Sequence, residues 1–172
     1  MPTFIHPTAT VYHERVTLGE NVYIGPYCII GGAPEYPNRH PDEPCGNVLI
    51  GHGTILHGHN TVDCATAQYD VTYIGRECTL MKGAHVGHDC TVQDNSTLSC
   101  GSKIGGFSYI EDHCTVGLNA TLHQRSRLMK GTMVGANAFF KDWTTGEFET
   151  WAGVPARFIK VNQHLKDKLG VK

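Results

Sequence analysis

The sequence predicts an all-β protein, a parallel β-helix in which each six residues make one short strand and a turn and three such units close a triangular coil. Two registers predict it. Stepping by six from Ile74 gives Leu80, Val86, Val92, Leu98, Ile104, Ile110, Val116, Leu122, Leu128, Val134 and Phe140, all apolar. Two places before each stand Thr72, Cys78, Ala84, Cys90, Ser96, Ser102, Ser108, Cys114, Ala120, Ser126, Thr132 and Ala138, all small. A period of six matches neither the 3.6 of an α-helix nor the alternation of strands joined by tight hairpins. It matches a solenoid with large aliphatic residues inside, small residues near the corners and glycine where a Cβ would not fit.

The first part of the chain carries the same phase at Leu18, Ile24 and Ile30, and again at Ile50, Leu56 and Val62. It slips between Val11 and Leu18 and degrades at Gln68. Between Gly32 and Asn47 the segment GAPEYPNRHPDEPCGN carries four prolines, which cannot donate to a sheet ladder, so a loop should project from the coil there. A long loop on a rigid scaffold is a candidate for function. At AQYDVT, Ala67 to Thr72, a smaller excursion is expected. After Phe140 the hexads stop; WAGVPARFIKVN reads as a turn and an exit strand, and NQHLKDKLG as a short helix from Asn162. The expected organisation is a β-helix domain over 1–160, with the insertion at 32–47, and a short C-terminal helix and tail over 161–172.

At 172 residues one compact unit is expected. The net charge of −2, from 14 basic and 16 acidic residues without a basic run, offers no attraction to nucleic acid or to an anionic membrane. MPTFIHPTAT has neither a basic nor an apolar leader region, and no segment approaches the ~18 apolar residues of a membrane span. A cytoplasmic location is expected. The seven cysteines are odd in number and lack ligand spacing. Cys28, Cys78, Cys90 and Cys114 read as small core residues.

The stretch GAHVGHDC, Gly83 to Cys90, carries the candidate chemistry. Residues 18 apart stack on successive coils about 4.8 Å apart, which places Gly106 and Gln124 above His88, Phe107 and Arg125 above Asp89, and Gly105 and His123 above Gly87. An outward-facing patch of His88, Asp89, His123 and Gln124 beside a bare glycine backbone is expected. An imidazole can take a proton from an alcohol or amine, a carboxylate beside it can set its tautomer, and glycine N–H groups can hold an oxyanion. On the residues alone, His88 can equally be a surface histidine beside an aspartate.

LMKGAHVGHDCTV, the hexads through VGLNATLHQ, and WAGVPARFIKVN together resemble the hexapeptide-repeat acyltransferases, above all the UDP-N-acetylglucosamine O-acyltransferases that begin lipid A synthesis. The resemblance implies a left-handed coil, although ordinary parallel crossovers are right-handed. It implies a transferase that moves an acyl group from acyl carrier protein to a hydroxyl or amine of a UDP-sugar. His88 matches the family's general base, Asp89 the adjoining carboxylate, Gly106 the backbone donor to the thioester carbonyl, and His85, His123 and Gln124 substrate contacts. Asp63 and Phe107 stand in the same site where the family carries histidines, and GGAPEYP lacks its Gln-Asp pair.

The resemblance further implies a homotrimer with clefts between subunits, and no cofactor beyond the acyl-carrier-protein or CoA thioester. The chain ends about where the family's helical domain begins. An acetyl-CoA-dependent sugar or small-metabolite acetyltransferase is the alternative, since HDC and GVPAR also occur in such enzymes. Some hexapeptide-repeat proteins bind zinc, which needs three ligands at about 2 Å. His52 and His88 share a face but lie two coils, about 9.6 Å, apart, so no metal is expected.

Overall fold

The computed structural model describes residues 2–68, 70–144 and 146–171. They form a left-handed parallel β-helix with three faces. The nine-stranded face runs from Phe4–Ile5 to Ala156–Val161, the seven-stranded from Thr10–Val11 to Phe139–Phe140, and the six-stranded from Val16–Leu18 to Arg127–Leu128. Most strands are two residues long, as the hexads require. Register advances by 18 through the regular coils: His85 pairs with Lys103 and Lys103 with Thr121, while Val86 pairs with Ile104 and Ile104 with Leu122.

Both registers line the interior. Every apolar position from Ile74 to Phe140 and every small position from Thr72 to Ala138 is at most 2% exposed. Burying each Ile or Leu contributes about 1.5–3 kcal/mol, and the small residues leave room for the backbone to turn. Some buried polar members find partners across the corner, the Ser96 hydroxyl donating to the Glu111 carbonyl at 3.1 Å, whereas the Ser102 and Thr132 hydroxyls have none among the described residues. Cys28, Cys78, Cys90 and Cys114 are buried core residues.

The irregular points fall where the pattern fails. Near the start the Tyr12 carbonyl accepts from both Arg15 and Val16 N–H, and the tight turn absorbs the slip before Leu18. The proline-rich insertion leaves after Ile29–Gly32 and returns at Asn47–Ile50. Its two feet flank Cys64: Cys64 N–H donates to the Gly32 carbonyl at 2.9 Å, and Gly46 N–H to the Ala65 carbonyl at 2.7 Å. The expected excursion at Ala67–Thr72 includes Tyr69, which lies outside the described residues; Val71–Ile74 rejoins the coil.

Parallel pairing outlasts the hexads. Met133–Val134 pairs with Thr150–Trp151, so the coil continues past Phe140 before Ala156–Val161 turns back antiparallel. The helix spans Gln163–Lys168, with the Asn162 side chain accepting the Leu165 N–H at 3.2 Å as its N-terminal cap. No helix among the described residues is long and apolar enough to cross a membrane.

Candidate active site

His88 and Asp89 sit in the turn between His85–Val86 and Thr91–Val92, at the corner joining the seven- and six-stranded faces. Asp89 adopts a left-handed backbone, φ 57°, a conformation that aspartate tolerates better than most residues. Phe107 and Arg125 adopt it on the next two coils, with φ 60° and 64°. The ladder confirms the stacking expected from the 18-residue step: Phe107 N–H donates to the His88 carbonyl at 3.0 Å, and Arg125 N–H to the Gly106 carbonyl at 2.9 Å.

The Asp89 carboxylate is fixed from two sides. Thr66 N–H donates to its two oxygens at 3.1 and 3.2 Å, and His88 Nδ1 lies 2.8 Å from Oδ2. An ionised carboxylate only accepts, so Nδ1 carries the proton and Nε2 keeps its lone pair. Asp89 N–H is itself held by the Thr72 hydroxyl at 2.9 Å. The imidazole is thus oriented by a group that is in turn oriented, as general-base catalysis requires.

His88 does not stand on an open face as the spacing suggested; it is 6% exposed. Tyr36, from the proline-rich loop, packs edge-on at 5.6 Å between ring centroids, and Phe107 does so at 5.1 Å. Arg125 covers the Phe107 ring at 4.6 Å. The loop leaves the coil as predicted but folds back over the dyad, which registers built on strand positions could not reveal. Sequence reasoning also missed Thr66, which keeps the six-residue phase but lies where the register steps by 24 rather than 18, and took Thr72 only for a corner residue.

Gly106 lies against the His88 ring. A Cβ there would fall 2.6 Å from Nε2 and Cε1. Its carbonyl is used by Arg125, whereas among the described residues its N–H has no protein acceptor. The ring edge carrying Nε2 thus packs against Gly106, whose main-chain N–H no described residue uses.

His85 and Asp63 occupy the neighbouring cleft, of about 630 Å³, together with Glu35, Thr61, His59 and Lys103. His85 Nδ1 lies 2.7 Å from the Thr61 hydroxyl and its Nε2 is 4.0 Å from Asp63 Oδ2. That oxygen is buried and has no hydrogen-bond partner among the described residues. Burial raises the Asp63 carboxyl to about 7; the Glu35 charge adds to the rise and a hydrogen bond from the Glu35 backbone opposes it. Burial pushes the His85 pKa down, the Glu35 charge opposes this, and Lys103 and His88 reinforce it. The cleft thus combines an imidazole that burial biases toward its neutral form with a carboxyl that burial pushes up to about 7.

His123 and Gln124 do not join the dyad in the enclosed space. Both are exposed. His123 Nδ1 donates to the Gln124 carbonyl at 3.1 Å, and the ring packs edge-on against Phe139 at 6.2 Å. Two coils of stacking carry this pair away from His88, leaving it on the open part of the surface. No group of three or more His, Cys, Asp or Glu among the described residues is placed to hold a metal ion.

Residues 72–106 match the family model described as bacterial transferase hexapeptide (six repeats). Over 127 residues the chain is 34% identical to the acyl-carrier-protein-dependent UDP-N-acetylglucosamine O-acyltransferase of Burkholderia lata, covering 73% of this chain and 48% of that one. This chain carries the bacterial transferase hexapeptide repeat over residues 72–106. The hexapeptide-repeat enzyme of the same name from Campylobacter concisus is 28% identical over 130 residues, 74% of this chain and 49% of its own. Among solved hexapeptide-repeat structures, the UDP-N-acetylglucosamine acyltransferase of Francisella novicida superposes with a TM-score of 0.76 at 20% identity, over 98% of this chain and 74% of that one. The hexapeptide-repeat chain described here spans about half the length of the curated relatives it matches.

Proposed function

We propose that this protein is an acyltransferase that moves an acyl group from the thioester of acyl carrier protein to a hydroxyl or amine of a UDP-sugar, with His88 as general base. The observation that carries the reading is the oriented dyad, in which Thr66 N–H holds Asp89, Asp89 holds Nδ1 of His88, and Nε2 lies against Gly106, whose N–H no described residue uses. The identity to acyltransferases of that specificity supports the substrate class.

In the proposed reaction Nε2 takes the proton of the acceptor O–H or N–H as the heteroatom attacks the thioester carbonyl. The carbonyl π electrons move onto oxygen, and the Gly106 N–H donates to that oxyanion. Collapse re-forms the carbonyl and breaks the C–S bond, and the imidazolium returns the proton to the departing thiolate. The cleft of His85, Asp63 and Glu35 would hold the acceptor, with Asp63 Oδ2 taking a hydrogen bond from its hydroxyl or amino groups. His123 and Gln124 would contact the more exposed parts of the substrates. The scheme calls on no cofactor beyond the thioester. We further propose that the chain works as a cytoplasmic homotrimer, a neighbouring copy closing the open side of the cleft.

The test is product formation, followed by mass spectrometry, from long-chain acyl carrier protein or acetyl-CoA with UDP-N-acetylglucosamine. Turnover with the acyl carrier protein is expected, and His88→Ala should lower kcat by roughly 10²–10⁴ with the thermal midpoint unchanged. Wild-type turnover in that variant would remove His88 from the mechanism, and turnover with acetyl-CoA alone would move the donor to CoA.

A further inference from the structure

The strongest feature outside the candidate active site is a pair of thiols at the foot of the proline-rich loop. Cys64 Sγ lies 2.6 Å from Cys45 Sγ, well inside the contact distance of two non-bonded sulfurs. Arg15 Nη1 lies 2.8 Å from Cys45 Sγ. Cys45 is half-buried and opens onto a cleft of about 730 Å³ lined also by Arg15, Glu14, Asn47 and Gln68, whereas Cys64 is fully buried behind it. The hydrogen bonds from Gly46 to Ala65 and from Cys64 to Gly32 fix the two backbones beside each other.

We propose that Cys45 and Cys64 are a thiol–disulfide exchange site, oxidised to a disulfide by a small disulfide such as oxidised glutathione. The Cys45 thiolate, formed by loss of a proton to solvent with the Arg15 guanidinium beside its sulfur, attacks one sulfur of the small disulfide and expels a thiolate. Cys64 then loses its proton and attacks Cys45 Sγ, forming the intramolecular bond and expelling the second thiolate. The protein dithiol gives up two electrons and two protons, and one small disulfide becomes two thiols.

The division of roles follows from the surroundings. Of the two, Cys45 alone reaches solvent, so it must be attacked or attack first. The Cys64 thiol is pushed up to about 12, chiefly by burial and next by the hydrogen bond and charge of Cys45, while Arg15 opposes the rise. Once Cys45 is tied in the mixed disulfide its charge is gone, and the Arg15 influence on Cys64 remains. In a reducing compartment such a pair is a reversible mark rather than a structural staple. It would tether the end of the loop whose Tyr36 covers His88.

The experiment uses the full chain carrying Cys100→Ser, because Cys100 is the exposed thiol. After incubation with oxidised glutathione, intact mass and peptide mapping are read. Loss of two hydrogen atoms, with a Cys45–Cys64 cross-link in the map that dithiothreitol reverses, is the expected result. Adding Cys64→Ser should instead trap a glutathione adduct on Cys45. Unchanged mass, or an adduct on Cys45 that persists with Cys64 intact, overturns the proposal. Cys45→Ser tests the same point from the other side and should abolish all oxidation.

Discussion

The His88 ring lies so closely over Gly106 that a Cβ added there would fall 2.6 Å from Nε2. The eighteen-residue step places a glycine directly above the proposed base, and only hydrogen fits. Gly106→Ala should therefore push the imidazole off the Asp89 carboxylate. A displacement of this kind costs on the order of 10² in rate. The check is kcat beside the thermal midpoint; a variant with wild-type kcat would show that His88 can shift freely without consequence.

Asp89 acts on the reaction through His88. In Asp89→Asn the amide can no longer accept as a carboxylate from both Thr66 N–H and Nδ1–H, and it offers no charge to stabilise the imidazolium. A fall in kcat of about 10²–10⁴ is expected. The thermal midpoint, read beside kcat and KM, discriminates a positioning role from a structural one: kcat should fall with the midpoint unchanged. A midpoint that falls together with kcat would point to a general loss of structure.

Asp63 links the cleft to stability. Its folded pKa, raised from 3.8 to about 7 by burial and by Glu35, means that the folded chain keeps a proton the unfolded chain has released. The associated stabilisation is complete below pH 3.8, declines between 3.8 and about 7, and is absent above that range. Asp63→Asn should remove this slope, so that wild type loses stability relative to the variant as pH rises through the window. Urea midpoints across the window provide the measurement, and parallel curves for the two proteins would place the Asp63 pKa at its ordinary value. His85, whose pKa burial lowers, contributes with the opposite sign, losing stability as pH falls.

The legible part of the site was what the repeat itself carries. The step of eighteen placed Gly106 over His88 and Phe107 over Asp89, because stacked coils are related by a nearly constant translation. It gave no access to Tyr36, which belongs to no hexad, nor to Thr66, which lies where the register steps by 24 from Thr61 to His85. Nor could the exposure of His88 be read: its place in a turn points it off the coil, and Tyr36 of the proline-rich loop covers it.

The amino-acid sequence by itself determined the coil, since an apolar residue every six positions can be buried by no other regular backbone, and every one from Ile74 to Phe140 is in the core. It likewise determined that the chain must leave the coil between Gly32 and Asn47, where proline cannot join a ladder. Only the tertiary structure decided where the loop went and what it brought. Tyr36 over His88, Glu35 beside Asp63 and Cys45 against Cys64 are contacts between a segment without periodicity and a rigid scaffold. Their positions follow from packing across space, for which sequence separation carries no signal.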